Sequence, residues 1–310
     1  MNIPRRILGR TGLQVSVLGF GSAPAAFLKT EVAKATAMLN EMLDAGVNVL
    51  DTAAMYPGSE AFIGDHLASR RKDYVLISKC GTKVAEIDAP PWSVKLISQS
   101  VDRALKLLKT DHLDVMLLHS CEKKYLEQGD LLAELVKARD AGKVKHVGYS
   151  GDNEPVAYAA SLPDVEVVET SINIADQHNI DLLLPVAKKH NVGVITKRPI
   201  ANAAWKDLSQ QQGMYQDYAK TYTQRLATMK LCPAELGFPG DTAKAFPELA
   251  LRFTLSFPEV STAIIGTTNP DNARANLDIA KAGPLNADAI AKIRATFRQA
   301  DVDGKWTAQT

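Results

Sequence analysis

"VNVLDTAAMYPGSE", residues 47–60, is the stretch that decides how this chain is read. An apolar run (Val47, Val49, Leu50) stops on a carboxylate, Asp51, and a phenol, Tyr56, follows five residues later. A Gly-Ser pair, Gly58 and Ser59, then opens a segment of helical character. A buried strand that ends on a charge and hands over to a helix is the unit of a parallel sheet, whose reactive groups gather at the carboxyl ends of the strands.

Outward from that stretch the same unit recurs. Strand-like runs lie at 15–21 (VSVLGFG), 47–53 (VNVLDTA), 74–80 (YVLISKC) and 113–120 (LDVMLLHS). Four more follow at 144–151 (VKHVGYSG), 165–173 (VEVVETSIN), 193–199 (GVITKRP) and 261–268 (STAIIGTT). They are rich in Val, Ile and Leu with little alternation, as strands covered on both faces should be. Amphipathic segments separate them. Residues 31–46 place Val32, Ala35, Leu39, Met42 and Leu43 on one face and end on Gly46. Residues 92–110 do the same with Val94, Ile97, Val101, Leu105 and Leu108, and 131–143 again close on a glycine. Eight strand–helix units predict an α/β fold, a single (β/α)8 TIM barrel over residues 1–310.

Two additions are expected. The connection after the seventh strand, about 200–244, is long and carries Trp205, Tyr215, Tyr218, Tyr222 and Phe238, with a helix near 214–229. A further helix, 286–301, is capped by Asn286, and the terminal "GKWTAQT" reads as a loose tail.

Composition narrows the class. Chains of 310 residues can hold two domains, but barrels of this length are commonly one. A hydrophobic content of 46% suffices for a core. The formal net charge of +1, without long runs of one sign, argues against nucleic-acid or acidic-membrane partners. The N-terminus does not read as a signal peptide, and no window approaches the ~18 apolar residues of a membrane span. Three separated cysteines (Cys80, Cys121, Cys232) without a CxxC pattern suit a reduced, cytoplasmic enzyme. The histidines lack metal-ligand spacing, so no metal is expected.

In a parallel barrel, Asp51 ends the second strand with Tyr56 in the loop beyond, Lys79 ends the third and His119 the fourth. Their chemistry is complementary. A phenol is a poor acid at neutral pH, with a free pKa of about 10. An ammonium beside it favours the phenolate, and a carboxylate holds that ammonium charged and oriented. A histidine on the same cavity can direct the proton and bind a substrate oxygen. The set suits protonation of a carbonyl oxygen while another group supplies hydride. Taken singly, each residue has a plainer reading: a turn former, a packing ring, an exposed strand end, a core histidine. Their shared position at three consecutive strand ends favours the chemical one.

With "ISKCG" and "LDVMLLH" added, these motifs closely resemble the aldo-keto reductase superfamily, from "LGRTGLQVSVLGFGS" to "IIGTTNPDNARANL". The resemblance implies a (β/α)8 barrel, a catalytic tetrad of Asp51, Tyr56, Lys79 and His119 with Tyr56 as general acid, and NADP(H) as cofactor, with NAD(H) the alternative. A competing reading fails: "VLGFGSAP" imitates a dinucleotide-binding fingerprint, but Gly19 and Gly21 are followed by Pro24 where a glycine is needed.

The cofactor contacts that the resemblance implies depart from the family in places. Ser150 matches the serine that holds the carboxamide, but Gly151 and Asp152 follow it where an asparagine is usual, and Glu169 replaces a glutamine. A carboxylate accepts from the amide NH2 but cannot donate to its oxygen. Lys197 and Arg198 stand where an aromatic ring and a serine are usual. One of them is expected to cover the nicotinamide, where fixed positive charge would disfavour its oxidised form. The alternative is a salt bridge to Glu169 or Asp152. Gly266, Thr267 and Thr268 resemble a phosphate clamp at a helix N-terminus, with Asn276 at the adenine and Asn272 where Arg or Gln is common. Ser22 and Ile200 complete the expected cofactor contacts, and Trp92 and Trp205 the substrate pocket. The partner implied is a small-molecule carbonyl compound, and the simplest assembly is a monomer. Two rivals stand beside carbonyl reduction: a cofactor-binding sensor, as in the potassium-channel β-subunits of the family, and a sugar or alcohol dehydrogenase working oxidatively.

Overall fold

The computed structural model describes residues 3–23, 31–207, 209 and 215–309. Eight parallel strands close on themselves: β3 (Leu18–Gly21), β4 (Val49–Asp51), β5 (Val75–Cys80), β6 (Leu113–His119), β7 (Val144–Ser150), β8 (Val167–Ser171), β9 (Gly193–Lys197) and β10 (Val260–Ile265). Sequence neighbours are sheet neighbours, and β10 pairs with β3 to complete the ring. The (β/α)8 barrel is therefore present.

One apolar run divides in two. Residues 15–21 do not form a single strand: β2 (Gln14–Ser16) pairs antiparallel with β1 (Arg5–Ile7), and β3 starts afresh in the barrel. The hairpin carries Leu8 and Val15, both 0% exposed, into the cluster of Val49, Ile77, Leu117, Val167 and Ile195 inside the barrel. Two such side chains contribute about 1.5–3 kcal/mol each, so this segment floors the barrel instead of lining it. Arg6 fastens the floor by donating to the carbonyls of Leu255, Phe257 and Val260.

The helices α1 (Val32–Asp44), α2 (Ser59–Leu67), α3 (Val94–Leu108), α4 (Lys123–Gln128), α5 (Asp130–Asp140), α6 (Asn153–Ser161), α7 (His178–Leu182) and α8 (Leu184–His190) follow the strands. The faces turn slightly from expectation, since Val32 and Val94 are exposed while Met38, Leu96 and Ala104 are buried. After β9 come an inserted helix α9 (Tyr215–Met229) and the crossover helix α10 (Thr242–Leu255). After β10 come α11 (Pro270–Lys281) and the extra helix α12 (Ala287–Ala300), on which Asn286 accepts from the Ala289 N–H at 2.8 Å.

The tail is not loose. Trp306 packs edge-on against Phe297 (centroids 5.2 Å apart) and lies under the Arg225 guanidinium. Ala308 is buried and exchanges two hydrogen bonds with the Asn153 side chain, at 2.8 and 3.0 Å. The Gln309 N–H donates to Asp176 and its carbonyl accepts from Arg198 and Ser171. An aromatic anchor and fixed backbone partners offset the entropy of ordering the segment.

Candidate active site

Alternation along a strand sends every second side chain into the barrel. Val49, Ile77, Leu117, Val167 and Ile195 face inward at one level. Two residues further along each strand stand Asp51, Lys79, His119, Glu169 and Lys197, at the carboxyl ends. The mouth is thus a polar ring over an apolar plug, and β4 to β9 each place a polar group at or just beyond their ends.

Lys79 is the hub. Its Nζ donates to Asp51 Oδ1 and Oδ2, both at 2.6 Å, and to the Thr52 carbonyl at 3.1 Å. Glu169 Oε2 lies 3.3 Å away from the opposite wall. Lys79 is 0% exposed, and a bare ammonium there would be neutralised. Burial does work against the charge, but Asp51 and Glu169 outweigh it and hold the lysine above its ordinary value. Burial and then Glu169 push the Asp51 carboxyl up, against the pull of Lys79. Tyr56 approaches from the β4–α2 loop, its ring centroid 5.5 Å from Lys79 Nζ and 6.0 Å from the His119 ring, edge to face. Burial above all, then Lys79 and Lys197, hold His119 well below its ordinary value, so the imidazole is neutral near pH 7. Its Nδ1 is buried without a hydrogen-bond partner among the described residues.

Ser150, also buried, donates to Glu169 Oε1 at 3.5 Å. Gly151 admits no side chain, since a Cβ there would lie 2.5 Å from Tyr149 Oη, which itself donates to the Cys121 carbonyl. The polar role passes to Asp152. Its Oδ1 accepts from Thr170 Oγ1, the Ser171 N–H and Asn179 Nδ2, and its Oδ2 pairs with Lys197 Nζ at 2.9 Å. Burial opposes its charge, but Lys197 and these donors win and hold it below the usual carboxylate range. Lys197 is therefore charge-matched, the alternative given for it above. Arg198 turns away, its guanidinium 4.7 Å from the Tyr218 ring centroid and donating to the Gln309 carbonyl.

The other candidates scatter around this centre. Ser22 is buried between β3 and β4, donating to the Asp51 carbonyl at 2.7 Å and accepting from Ser59. Ile200 packs on the core where its carbonyl accepts from Ala203. Trp92 folds back on Gly81, where a Cβ would meet the indole at 2.1 Å, and lies beside Tyr125. Trp205 stacks on Phe246 of α10 at 5.3 Å. At the N-terminus of α11, Gly266 is exposed, Thr267 and Thr268 half-buried, and Asn269 caps the helix through the Asp271 N–H. Asn276 is buried and Asn272 exposed. Arg274 does not face the clamp: it forms a two-point pair with Glu41 of α1 and a third bond to Asp271.

Sequence reading missed the Glu169–Lys79 pair and the cluster of Asp176, Tyr222, Arg225 and Gln309. The first was legible in principle, since Asp51, Lys79 and Glu169 occupy equivalent levels in their strands. The second joins residues up to 133 positions apart through a segment with no regular structure, and its local signal was a lone Trp306.

The Aldo/keto reductase family pattern matches residues 17–297. L-galactose dehydrogenase of Arabidopsis thaliana is 28% identical over 89% of this chain and 87% of its own length. An uncharacterized oxidoreductase of Bacillus subtilis (strain 168) is 26% identical, covering 95% and 97%. Among solved structures, the holo form of an aldo-keto reductase from Bacillus halodurans superposes with a TM-score of 0.78 at 24% identity, over 95% and 96% of the two chains. With a parallel barrel of this strand order and a match over nearly its whole length, the chain belongs to the aldo/keto reductase family.

Proposed function

We propose that the protein reduces an aldehyde or ketone to the alcohol, with NADPH as hydride donor and Tyr56 as general acid. The observation that carries this reading is the convergence of Tyr56 and a neutral His119 on a buried Asp51–Lys79 ion pair. The site is consistent with a nicotinamide cofactor. His119 Nδ1, at the end of β6 above the apolar floor, is buried and unsatisfied among the described residues, and Thr267, Thr268 and the α11 N-terminus form a donor set suited to phosphate.

When bound, the reduced nicotinamide supplies the hydride. The remaining tasks belong to the chain. His119, kept uncharged, donates one hydrogen bond to the substrate oxygen without competing as a cation. Tyr56 holds a proton at its Oη and releases it as negative charge develops on that oxygen. Lys79 stabilises the phenolate left behind, and Asp51 fixes the ammonium. The apolar floor excludes water from below, which strengthens each of these interactions.

The likeness to L-galactose dehydrogenase favours a second reading, oxidation of a sugar or other alcohol, in which the Tyr56 phenolate is the base. One experiment separates them. Oxidation and formation of the reduced nicotinamide are followed by absorbance with both nucleotides, against panels of aldehydes, ketones, alcohols and sugars. Faster turnover of carbonyls with NADPH is expected, with a loss of about 10²–10⁴-fold in Tyr56→Phe. Turnover untouched by that substitution would remove Tyr56 from the role of acid, and faster oxidation would favour the second reading.

A further inference from the structure

Lys79 faces two carboxylates, and the second has no other cation within ion-pair distance among the described residues. Glu169 projects from β8, across the barrel from Asp51. It is 2% exposed, and Oε2 takes part in no hydrogen bond although it lies 3.3 Å from the ammonium. Ser150 touches Oε1 at 3.5 Å, a long contact that steers the carboxylate without neutralising it. The groups around Lys79 are therefore Asp51 and the Thr52 carbonyl from β4, Tyr56 from the loop beyond, His119 from β6, Ser150 from β7 and Glu169 from β8. Lys197 from β9 is held by Asp152. With both acids ionised, the Asp51–Lys79–Glu169 cluster carries one net negative charge. Without Glu169 it would be neutral.

A phenol whose ring lies 5.5 Å from Lys79 Nζ senses that balance. We propose that Glu169 is a positioning residue that acts on Tyr56 through Lys79. It offsets the ammonium's pull on the phenol and keeps Tyr56 protonated to a higher pH than Asp51 alone would allow. The consequence is directional. Reduction needs the neutral phenol and oxidation needs the phenolate, so Glu169 widens the pH range of reduction and confines oxidation to alkaline solution.

The proposal rests on Tyr56 being the acid, but its test does not depend on turnover. Full-length protein labelled with 13Cζ-tyrosine is titrated by NMR, and Tyr56→Phe assigns the Tyr56 resonance among the 8 tyrosines. In Glu169→Gln, which keeps the shape and removes the charge, the Tyr56 midpoint is expected to fall by about one pH unit. The pH at which alcohol oxidation is half-maximal should fall with it. A midpoint that stays or rises overturns the proposal. If Glu169→Gln does not fold, Glu169→Asp carries the test by withdrawing the charge one methylene. A smaller fall supports the proposal and an unchanged midpoint overturns it. Should Tyr56→Phe leave turnover intact, the reading of Tyr56 as acid fails, while the titration still reports whether Glu169 governs the phenol.

Discussion

On the β4–β6 side of the barrel mouth, Asp51, Tyr56, Lys79 and His119 come from three adjacent strands and one short loop. On the β7–β9 side, Asp152 and Lys197 pair with each other, Glu169 contacts Ser150 and reaches across to Lys79, and Arg198 depends on partners from distant chain: Tyr218 of the inserted helix α9 and Gln309 of the tail. The first side concentrates charge on one ammonium with little surrounding support. The second spreads it over pairs braced by further donors, such as Asp152 with two side-chain donors and one backbone N–H. On the proposed reading, one side moves a proton and the other holds position.

The comparison breaks most severely at Lys79. In Lys79→Met, two buried carboxylates lose their cation. Removing one member of a buried ion cluster costs about 3–5 kcal/mol, and denaturant unfolding should show a loss of that order unless a carboxylate takes up a proton. Turnover should fall by about 10²–10⁴-fold, since the phenolate would no longer be stabilised. A variant as stable as the parent at both acid and neutral pH would show that Asp51 and Glu169 do not depend on Lys79.

A milder cut sharpens the contrast on the other side. Trp306→Ala removes the ring from Phe297 and Arg225, and with it the anchor that brings Ala308 and Gln309 to Asn153, Asp176 and Arg198. The expected loss is about 1–3 kcal/mol in unfolding free energy, as for a half-buried packing residue. The Tyr56 ionisation midpoint should stay in place, because the contact lies outside the Lys79 cluster. If the midpoint moved as far as in Glu169→Gln, the two sides would be electrostatically one.

These differences explain what could be read from the sequence. The barrel was legible because each strand carries its own signal, a short apolar run that in β4 to β9 gives way to a polar residue, and eight such runs admit few arrangements. The Asp51, Tyr56, Lys79 and His119 cluster was legible for the same reason, since neighbouring strands in sequence are neighbours in space. Reading Val15–Gly21 as one strand failed because two short apolar strands meet at Val17 without a turn residue to divide them. The tail was misread because much of its order comes from long-range partners, Asn153 at 155 positions and Arg198 at 111. Local composition, two polar residues around each apolar one, says nothing of such contacts. Lys197 and Arg198 could be placed at a strand end, but the choice between Glu169 and Asp152 as partner is made by geometry alone.

The subtlest difference between the two sides lies in Asp176, on the braced side. Its carboxylate accepts from Tyr222 Oη at 2.7 Å and from the Gln309 N–H at 3.1 Å, with Arg225 no nearer than 4.0 Å. Burial, then the nearby Asp152 charge, push it up from 3.8 to about 7. An acid raised in the folded state keeps its proton between those two values while the unfolded chain has lost it. The folded state then binds more protons, so this group withdraws stability as pH rises from about 4 to about 7, and adds nothing further above that. The slope is at most about 1.4 kcal/mol per pH unit. Asp176→Asn keeps the acceptor toward Tyr222 and Gln309 without the titration. Unfolding free energies of the two proteins should therefore diverge across this window, with the parent losing ground as pH rises. Parallel curves would mean that Asp176 is ionised throughout, and that Arg225 and the tail N–H stabilise its charge more than their distances imply.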